Sequence, residues 1–216
     1  MPVESDERLR ALRASLWPDH PAHIPATIER PAGAAHLLID EVPDPALERM
    51  EAAVALVVRA GEQLDFLLIK RAVHESDPWS GQMALPGGRW ETDDSGLLHT
   101  AIRETFEETG LDLTALGAPM GRLEDVAPAS PQLPKMRIAP FVFGVPAGVE
   151  ARVASRELQS VHWVPLDVLA ASDSAATTRI QFSGFSKTFP SYHVVGEHVW
   201  GLTHRILTAF LERYPG

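Results

Sequence analysis

The segment Leu85-Pro86-Gly87-Gly88-Arg89-Trp90-Glu91-Thr92-Asp93-Asp94 is followed, after residues 95–102, by Arg103-Glu104-Thr105-Phe106-Glu107-Glu108-Thr109-Gly110-Leu111. Its second half predicts a helix over Ser95–Thr109, stopped by Gly110. At ~100° per residue, Glu104, Glu107 and Glu108 share one flank, and Leu98, Ala101, Ile102, Thr105 and Phe106 take the other, expected to face a core. Three like charges on one flank disfavour a bare helix by a few tenths of a kcal/mol per pair. Hard divalent cations remove that repulsion, and Mg2+ and Mn2+ favour carboxylate oxygens. Arg103 stands beside the cluster, able to hold a carboxylate by a bidentate contact. Gly87 and Gly88 permit a sharp bend and close approach to a ligand. Asp93, Asp94 or Ser95 is then the expected helix cap. Taken singly, a Glu-rich helix is a solvated face and a Gly-Gly a turn; in this order they form a specific pattern.

Outward from this stretch, Ala52–Arg59 reads as a buried strand, residues 60–63 as a turn and Leu64–Lys70 as a second strand, predicting a hairpin. Further strands are expected at Gly121–Val126, Arg137–Val145 and Ser160–Val164, with a helical turn over Leu166–Ala171. Tyr192–Val195 and His198–Trp200 bracket Gly196-Glu197 as a hairpin, and Leu202–Arg213 has the pattern of an amphipathic helix. Near the N-terminus, residues 5–16 predict a short helix capped by Ser5, with Leu9, Leu12 and Leu16 at helical spacing. The prolines at 18, 21, 25, 31, 43 and 45 favour an extended connection after it. Residues 1–50 are therefore expected to be a helix and a Pro-rich arm, and 51–216 the main domain. Interleaved strands and helices indicate an α/β class with helices on a mixed sheet.

The chain has 216 residues, 45% of them hydrophobic and 22% charged, as in ordinary globular proteins. With no cysteine, thiol nucleophiles, disulfides and thiolate metal sites are excluded. Val54 to Val58, the longest strongly apolar run, is far short of the ~20 residues of a membrane span. The polar start, Met1 to Arg10, lacks the apolar core of a signal peptide, so a cytoplasmic protein without membrane partners is expected. The net charge of −10 disfavours nucleic acid as a partner, because a phosphate backbone calls for a basic surface. The nine histidines show no His-Glu-x-x-His spacing, and neither a Gly-x-Ser-x-Gly elbow nor a Walker loop occurs.

Gly88 to Leu111 resembles the Nudix box, the signature of the Nudix hydrolases. The matching residues are Gly88, Asp94, Arg103, Glu104, Glu107, Glu108, Gly110 and Leu111. Two features depart from the usual pattern: Gly88 to Arg103 is one residue longer, and Thr105 replaces an aliphatic residue. The longer spacing, with Glu91 and Asp94, is similar to the coenzyme A diphosphatase branch. Leu67-Leu68-Ile69-Lys70-Arg71-Ala72, Gly81 to Gly88, and Trp200-Gly201-Leu202-Thr203-His204-Arg205 also resemble segments of that branch. Asp77-Pro78-Trp79-Ser80 differs, standing where the branch carries a basic or His-containing segment.

The resemblance implies a Nudix-type α/β/α sandwich with a mixed β-sheet between helices. It implies hydrolysis of a diphosphate joining a nucleoside to another group, with Mg2+ or Mn2+. Glu104, Glu107 and Glu108, with the carbonyl of Gly88 or of Gly87 as an additional ligand, become the expected metal ligands, and Arg103 orients them. The expected base is Glu104 or Glu157, with Glu124 behind them. Arg71 and Arg89 are candidate contacts for substrate phosphates. Tyr192, Trp79 and Trp90 are candidates for stacking on a base. Coenzyme A or an acyl derivative is the expected substrate; ADP-ribose, a nucleotide sugar or a dinucleotide polyphosphate are alternatives within the same chemistry. A non-catalytic nucleotide sensor of the same fold is the alternative of another class. The expected assembly is a monomer or homodimer.

Overall fold

The computed structural model describes residues 3–16, 51–74, 77–130, 133, 135–171, 175–182 and 185–215; the expected Pro-rich arm lies outside them. A one-turn 3-10 helix (Val3–Ser5) precedes α1 (Glu7–Leu16). The central sheet is built from β1 (Glu51–Ala60), β2 (Leu64–Arg71), β3 (Met83–Ala84), β4 (Gly87–Arg89), β5 (Ala118–Arg122), β6 (Arg137–Pro146) and β7 (Leu158–Pro165). Between β4 and β5 run α2 (Leu97–Thr109) and the short α3 (Leu113–Leu116); α4 (Leu166–Ala170) follows β7. A separate three-stranded sheet comprises β8 (Ala175–Phe182), β9 (Phe185–Val194) and β10 (Glu197–Trp200), and α5 (Gly201–Leu211) closes the chain.

β1 organises the sheet. It runs parallel to β6 from Glu51↔Arg137 to Ala60↔Pro146 and antiparallel to both β2 and β4. A strand covered on both faces reads as a continuous apolar run, which explains Val54 to Val58. Alternation then splits its side chains. Ala53, Ala55 and Val57 pack with Leu97, Ala101 and Ile102 of α2. Ala52, Leu56 and Val58 join a second core with Leu9, Leu12 and Leu16 of α1 and Ile206, Leu207 and Phe210 of α5. The mixed sheet therefore lies between helices, the expected α/β/α sandwich.

Several local expectations need correction. The cap of α1 is Asp6, not Ser5: its Oδ1 accepts from the Arg8 and Leu9 amides at 2.9 and 3.3 Å. α2 starts after Gly96, which gives no side-chain cap, so neither Asp93, Asp94 nor Ser95 plays that part. Asp94 is instead buried and occupied by Thr100 and Arg103. Phe106 is 54% exposed, because it lies on the outer side of α2 beyond the strip that meets β1. The strand expected at Gly121–Val126 is shifted to Ala118–Arg122; Val126 makes one isolated bridge to Ile138. The last hairpin turns at Val195-Gly196, where both residues have positive φ. Neither α3 nor β8 was anticipated, and β9 starts earlier than expected.

The N-terminal helix is tied to the sheet. Arg8 donates to the carbonyls of Gly61 and Glu62 in the β1–β2 turn at 2.8 and 3.0 Å, and Leu12 is fully buried. Leu12→Ala is expected to lower the unfolding free energy by roughly 2–5 kcal/mol, read as a drop in denaturant midpoint; an unchanged midpoint would show that α1 is not docked.

Candidate active site

β4 pairs with the start of β1, Val54 opposite Gly87 and Ala53 opposite Gly88, which holds the glycine pair against α2. A Cβ on Gly87 would run into the Ala53 carbonyl and Val54, and one on Gly88 would fall on the Glu104 carboxylate. The absence of two side chains thus lets the loop touch the helix. Glu108 Oε2 accepts from the Gly87 amide at 3.0 Å. Gly110, in the left-handed conformation, ends α2 by donating to the Phe106 carbonyl.

The three glutamates are not equivalent. Glu108 is 3% exposed; Glu104 is half-buried, and the Glu107 side chain is 54% exposed. Arg103 serves the two outer ones, with Nη1 3.0 Å from Glu104 Oε1 and 3.4 Å from Glu107 Oε2. Its Nε and Nη2 bind the two oxygens of Asp94 at 2.9 and 3.0 Å, and Nη2 also donates to the Arg89 carbonyl at 3.0 Å.

Burial raises the Glu108 carboxyl to about 8; the Gly87 hydrogen bond and Arg71 pull it down, whereas Glu104 and Glu157 push it further up. Burial likewise raises Glu104, with Arg103 opposing and Glu107 and Glu91 adding to the rise. Arg71 and Glu157 therefore lie within electrostatic reach of Glu108. The backbone explains how. The Ala72 amide donates to the Glu157 carbonyl at 2.7 Å, and the Ala154 amide donates to the Glu108 carbonyl at 2.9 Å, so the loop before β7 wraps the end of α2.

The other expected site residues are dispersed. Arg89 is exposed on β4. Glu124 is exposed and pairs with Arg213 at 3.7 Å. Tyr192 belongs to the small sheet, where its ring stacks on His204 at 4.7 Å and its hydroxyl lies 3.0 Å from Thr208 Oγ1. Trp90 is buried in the core under α2, and half-buried Trp79 packs against the other core. Sequence reading assigned Asp77, which binds Arg71, no role beyond a departure from the branch pattern, and Asp94, which anchors Arg103, none beyond its match to the box and a place among the expected helix caps.

Among the described residues, no three histidine, aspartate or glutamate side chains are placed to hold one ion together. The donor chemistry nonetheless suits a divalent cation. Two carboxyls whose ionisation burial and mutual repulsion disfavour, beside a backbone cradle that a methyl group would fill, form a site that a positive ion relieves.

The family description "NUDIX domain" matches residues 48–183, more than half of the 216. The chain belongs to the NUDIX domain family. An uncharacterized protein of Schizosaccharomyces pombe is 34% identical over 164 residues, 65% of this chain and 49% of that protein. The chain thus spans about half the length of that relative. An uncharacterized Nudix hydrolase, NudL, of Yersinia pestis is 26% identical over 156 residues, 72% of this chain and 75% of its own. Among solved structures, a MutT/nudix family protein from Enterococcus faecalis gives a TM-score of 0.48 at 19% identity, over 80% of this chain and 64% of the other. The match and the box residues fall on the same stretch, so the NUDIX domain contains the glycine pair and the acidic helix. Among the described residues, no helix is long and apolar enough to cross a membrane.

Glu108 gives this Nudix domain a pH signature. Between its ordinary value of 4.5 and about 8, the unfolded chain has released a proton that the folded chain keeps, so ionisation favours unfolding. The metal-free protein should lose stability as pH rises through that window, and Glu108→Gln should flatten the loss. Equal slopes in denaturant titrations at several pH values would contradict this placement of the carboxyl.

Proposed function

We propose that the chain is a divalent-metal-dependent diphosphatase acting on a nucleoside diphosphate linked to a second group, with coenzyme A or an acyl derivative as substrate. The docking of Gly87 and Gly88 onto Glu104 and Glu108 carries this reading. It places a close-approach backbone and buried carboxylates at one point, which is what an anionic diphosphate with its counter-ions requires. Residues 51–216 form the hydrolase domain, and 1–50 are accessory to it.

Glu104, Glu107 and Glu108, with the Gly88 carbonyl, would hold Mg2+ or Mn2+. Once bound, such an ion supplies positive charge to the diphosphate oxygens and makes water more acidic. The protein's own residues do the positioning on which phosphoryl transfer depends. Arg103 holds Glu104 and Glu107 on the ligand side of α2. Of the two base candidates, Glu104 already accepts from Arg103. The Glu157 side chain, whose charge reaches Glu108, accepts no hydrogen bond among the described residues; it takes the proton from water. Arg71 and Arg89 meet the diphosphate from the strand side.

Support for coenzyme A comes from the sequence of β2 and β3, whose Leu67–Ala72 and Gly81–Gly88 segments resemble that branch and flank the carboxylates. A panel of coenzyme A, ADP-ribose, diadenosine polyphosphates and UDP-sugars, each with Mg2+ and Mn2+, tests the substrate. Coenzyme A is expected among the best; finding it among the poorest would overturn the branch assignment and favour ADP-ribose or another diphosphate. Glu107→Gln is expected to drop turnover to background with the fold intact by circular dichroism. Glu157→Gln should lower kcat with little change in KM, and a normal kcat would remove Glu157 as the base.

Gly88→Ala tests the cradle. Its methyl group would displace the Glu104 carboxylate, so activity should fall at least as far as in Glu104→Gln. Full activity in the alanine variant would show that Glu104 is not needed where the structure places it.

A further inference from the structure

Arg71 stands where β2 leaves the sheet. The β2–β7 register shifts between Lys70 and Arg71, Lys70 facing Ser160 and Arg71 facing Leu158. Such an irregularity re-aims the side chain beside it, and Arg71 is the cation of β2 whose charge reaches Glu108. Its guanidinium is held on one side. Nε and Nη2 donate to Asp77 Oδ2 at 3.0 and 2.8 Å, and the Arg71 and Asp77 side chains are 24% and 19% exposed. Nη1 has no hydrogen bond among the described residues. Asp77 is itself fixed by the backbone: Oδ1 accepts from the Trp79 amide at 3.0 Å, its amide donates to the His74 carbonyl at 3.1 Å, and its carbonyl accepts from Ser80 at 3.0 Å.

We infer that Asp77 is a positioning residue for substrate binding: by fixing one edge of the Arg71 guanidinium, it presents the other edge to the diphosphate held at the carboxylate cluster. This rests on the diphosphatase reading and deepens it. A fixed planar fork loses less conformational freedom on binding an oxyanion than a free one. It also differs from a bare arginine because the pair is net neutral and draws the substrate by geometry more than by charge. The group read is the diphosphate common to all candidate substrates, because the charge of Arg71 reaches Glu108 in the carboxylate cluster.

The test uses the full chain and compares wild type, Asp77→Asn, Asp77→Glu, Arg71→Ala and the double variant Asp77→Asn/Arg71→Ala. Steady-state kinetics are measured with coenzyme A and with ADP-ribose, and calorimetric binding with ADP in metal-free buffer. Asp77→Asn should raise KM about tenfold, the size of a lost charged hydrogen bond of about 1.4 kcal/mol, with kcat within about twofold. ADP affinity should weaken in parallel, and Asp77→Glu should recover part of the loss. The double variant should be no worse than Arg71→Ala, since Asp77 acts through Arg71. A lower melting temperature with unchanged KM and ADP affinity would overturn the inference, leaving Asp77 a structural residue. Additive losses in the double variant, or a KM rise confined to one substrate, would overturn it equally. If wild type hydrolyses neither compound nor the diadenosine polyphosphates and UDP-sugars, the diphosphatase reading fails, whereas ADP binding across the variants still decides the role of Asp77.

Discussion

One guanidinium holds the site together. Arg103 binds both oxygens of Asp94, the carbonyl of Arg89 and the carboxylate of Glu104, so it joins the loop, β4 and α2 in a single contact set. Burial alone would raise the Asp94 carboxyl, but hydrogen bonds from Arg103, Thr100 and the Glu91 amide outweigh it and keep the group below its ordinary range. The same pairing raises Arg103, so its charge is permanent. Breaking such a buried pair by removing one partner typically costs about 3–5 kcal/mol, because a bare charge is left behind. A lysine at 103 would supply a point charge and could not span all these acceptors.

With Arg103 committed to the scaffold, the acidic cluster can be graded. Glu108 is sealed against Gly87, Glu104 sits under Arg103 and Glu107 meets solvent. Burial disfavours the charged form of the inner carboxyls, most at Glu108, and positive charge favours it. That gradient gives the box helix a reason to place three carboxylates together despite their repulsion: the energetic cost is concentrated at the site where a cation offsets it.

Much of this was legible in the sequence because it depends on residues close along the chain. The helical spacing of Glu104, Glu107 and Glu108, the Gly110 stop and the buried run of β1 each follow from local periodicity. What was missed depends on tertiary contacts. Phe106 is expected on the buried side, yet the face of α2 that packs inward is Leu97, Ala101, Ile102 and Thr105, and Phe106 lies off it, 54% exposed. The cap of α2 fell to Gly96 because Asp94 was already claimed by Arg103, nine residues on. Tyr192 suggested a base-stacking aromatic, but its partners His204 and Thr208 lie on a later helix. β8 was unreadable for a different reason: Ala175-Ala176-Thr177-Thr178-Arg179 is exposed and half-buried in alternation, with too few apolar residues to set a period of two.

The position of the site also follows from strand register. β1 is paired with β6 on one side and shared between β2 and β4 on the other. A slip of one residue in β4 would turn its side chains to the opposite face and bring Arg89, not Gly88, against Glu104. The bulk of an arginine there would push α2 off the loop and separate Glu108 from the Gly87 amide. The long parallel pairing with β6 fixes β1, and Trp90, directly after β4, is buried with Leu97 and Ala101 and donates its amide N–H to the Glu51 carbonyl, which fixes β4 against it. The hydrophobic interior therefore does more than stabilise the fold: it sets, to within one residue, which backbone atoms face the carboxylates.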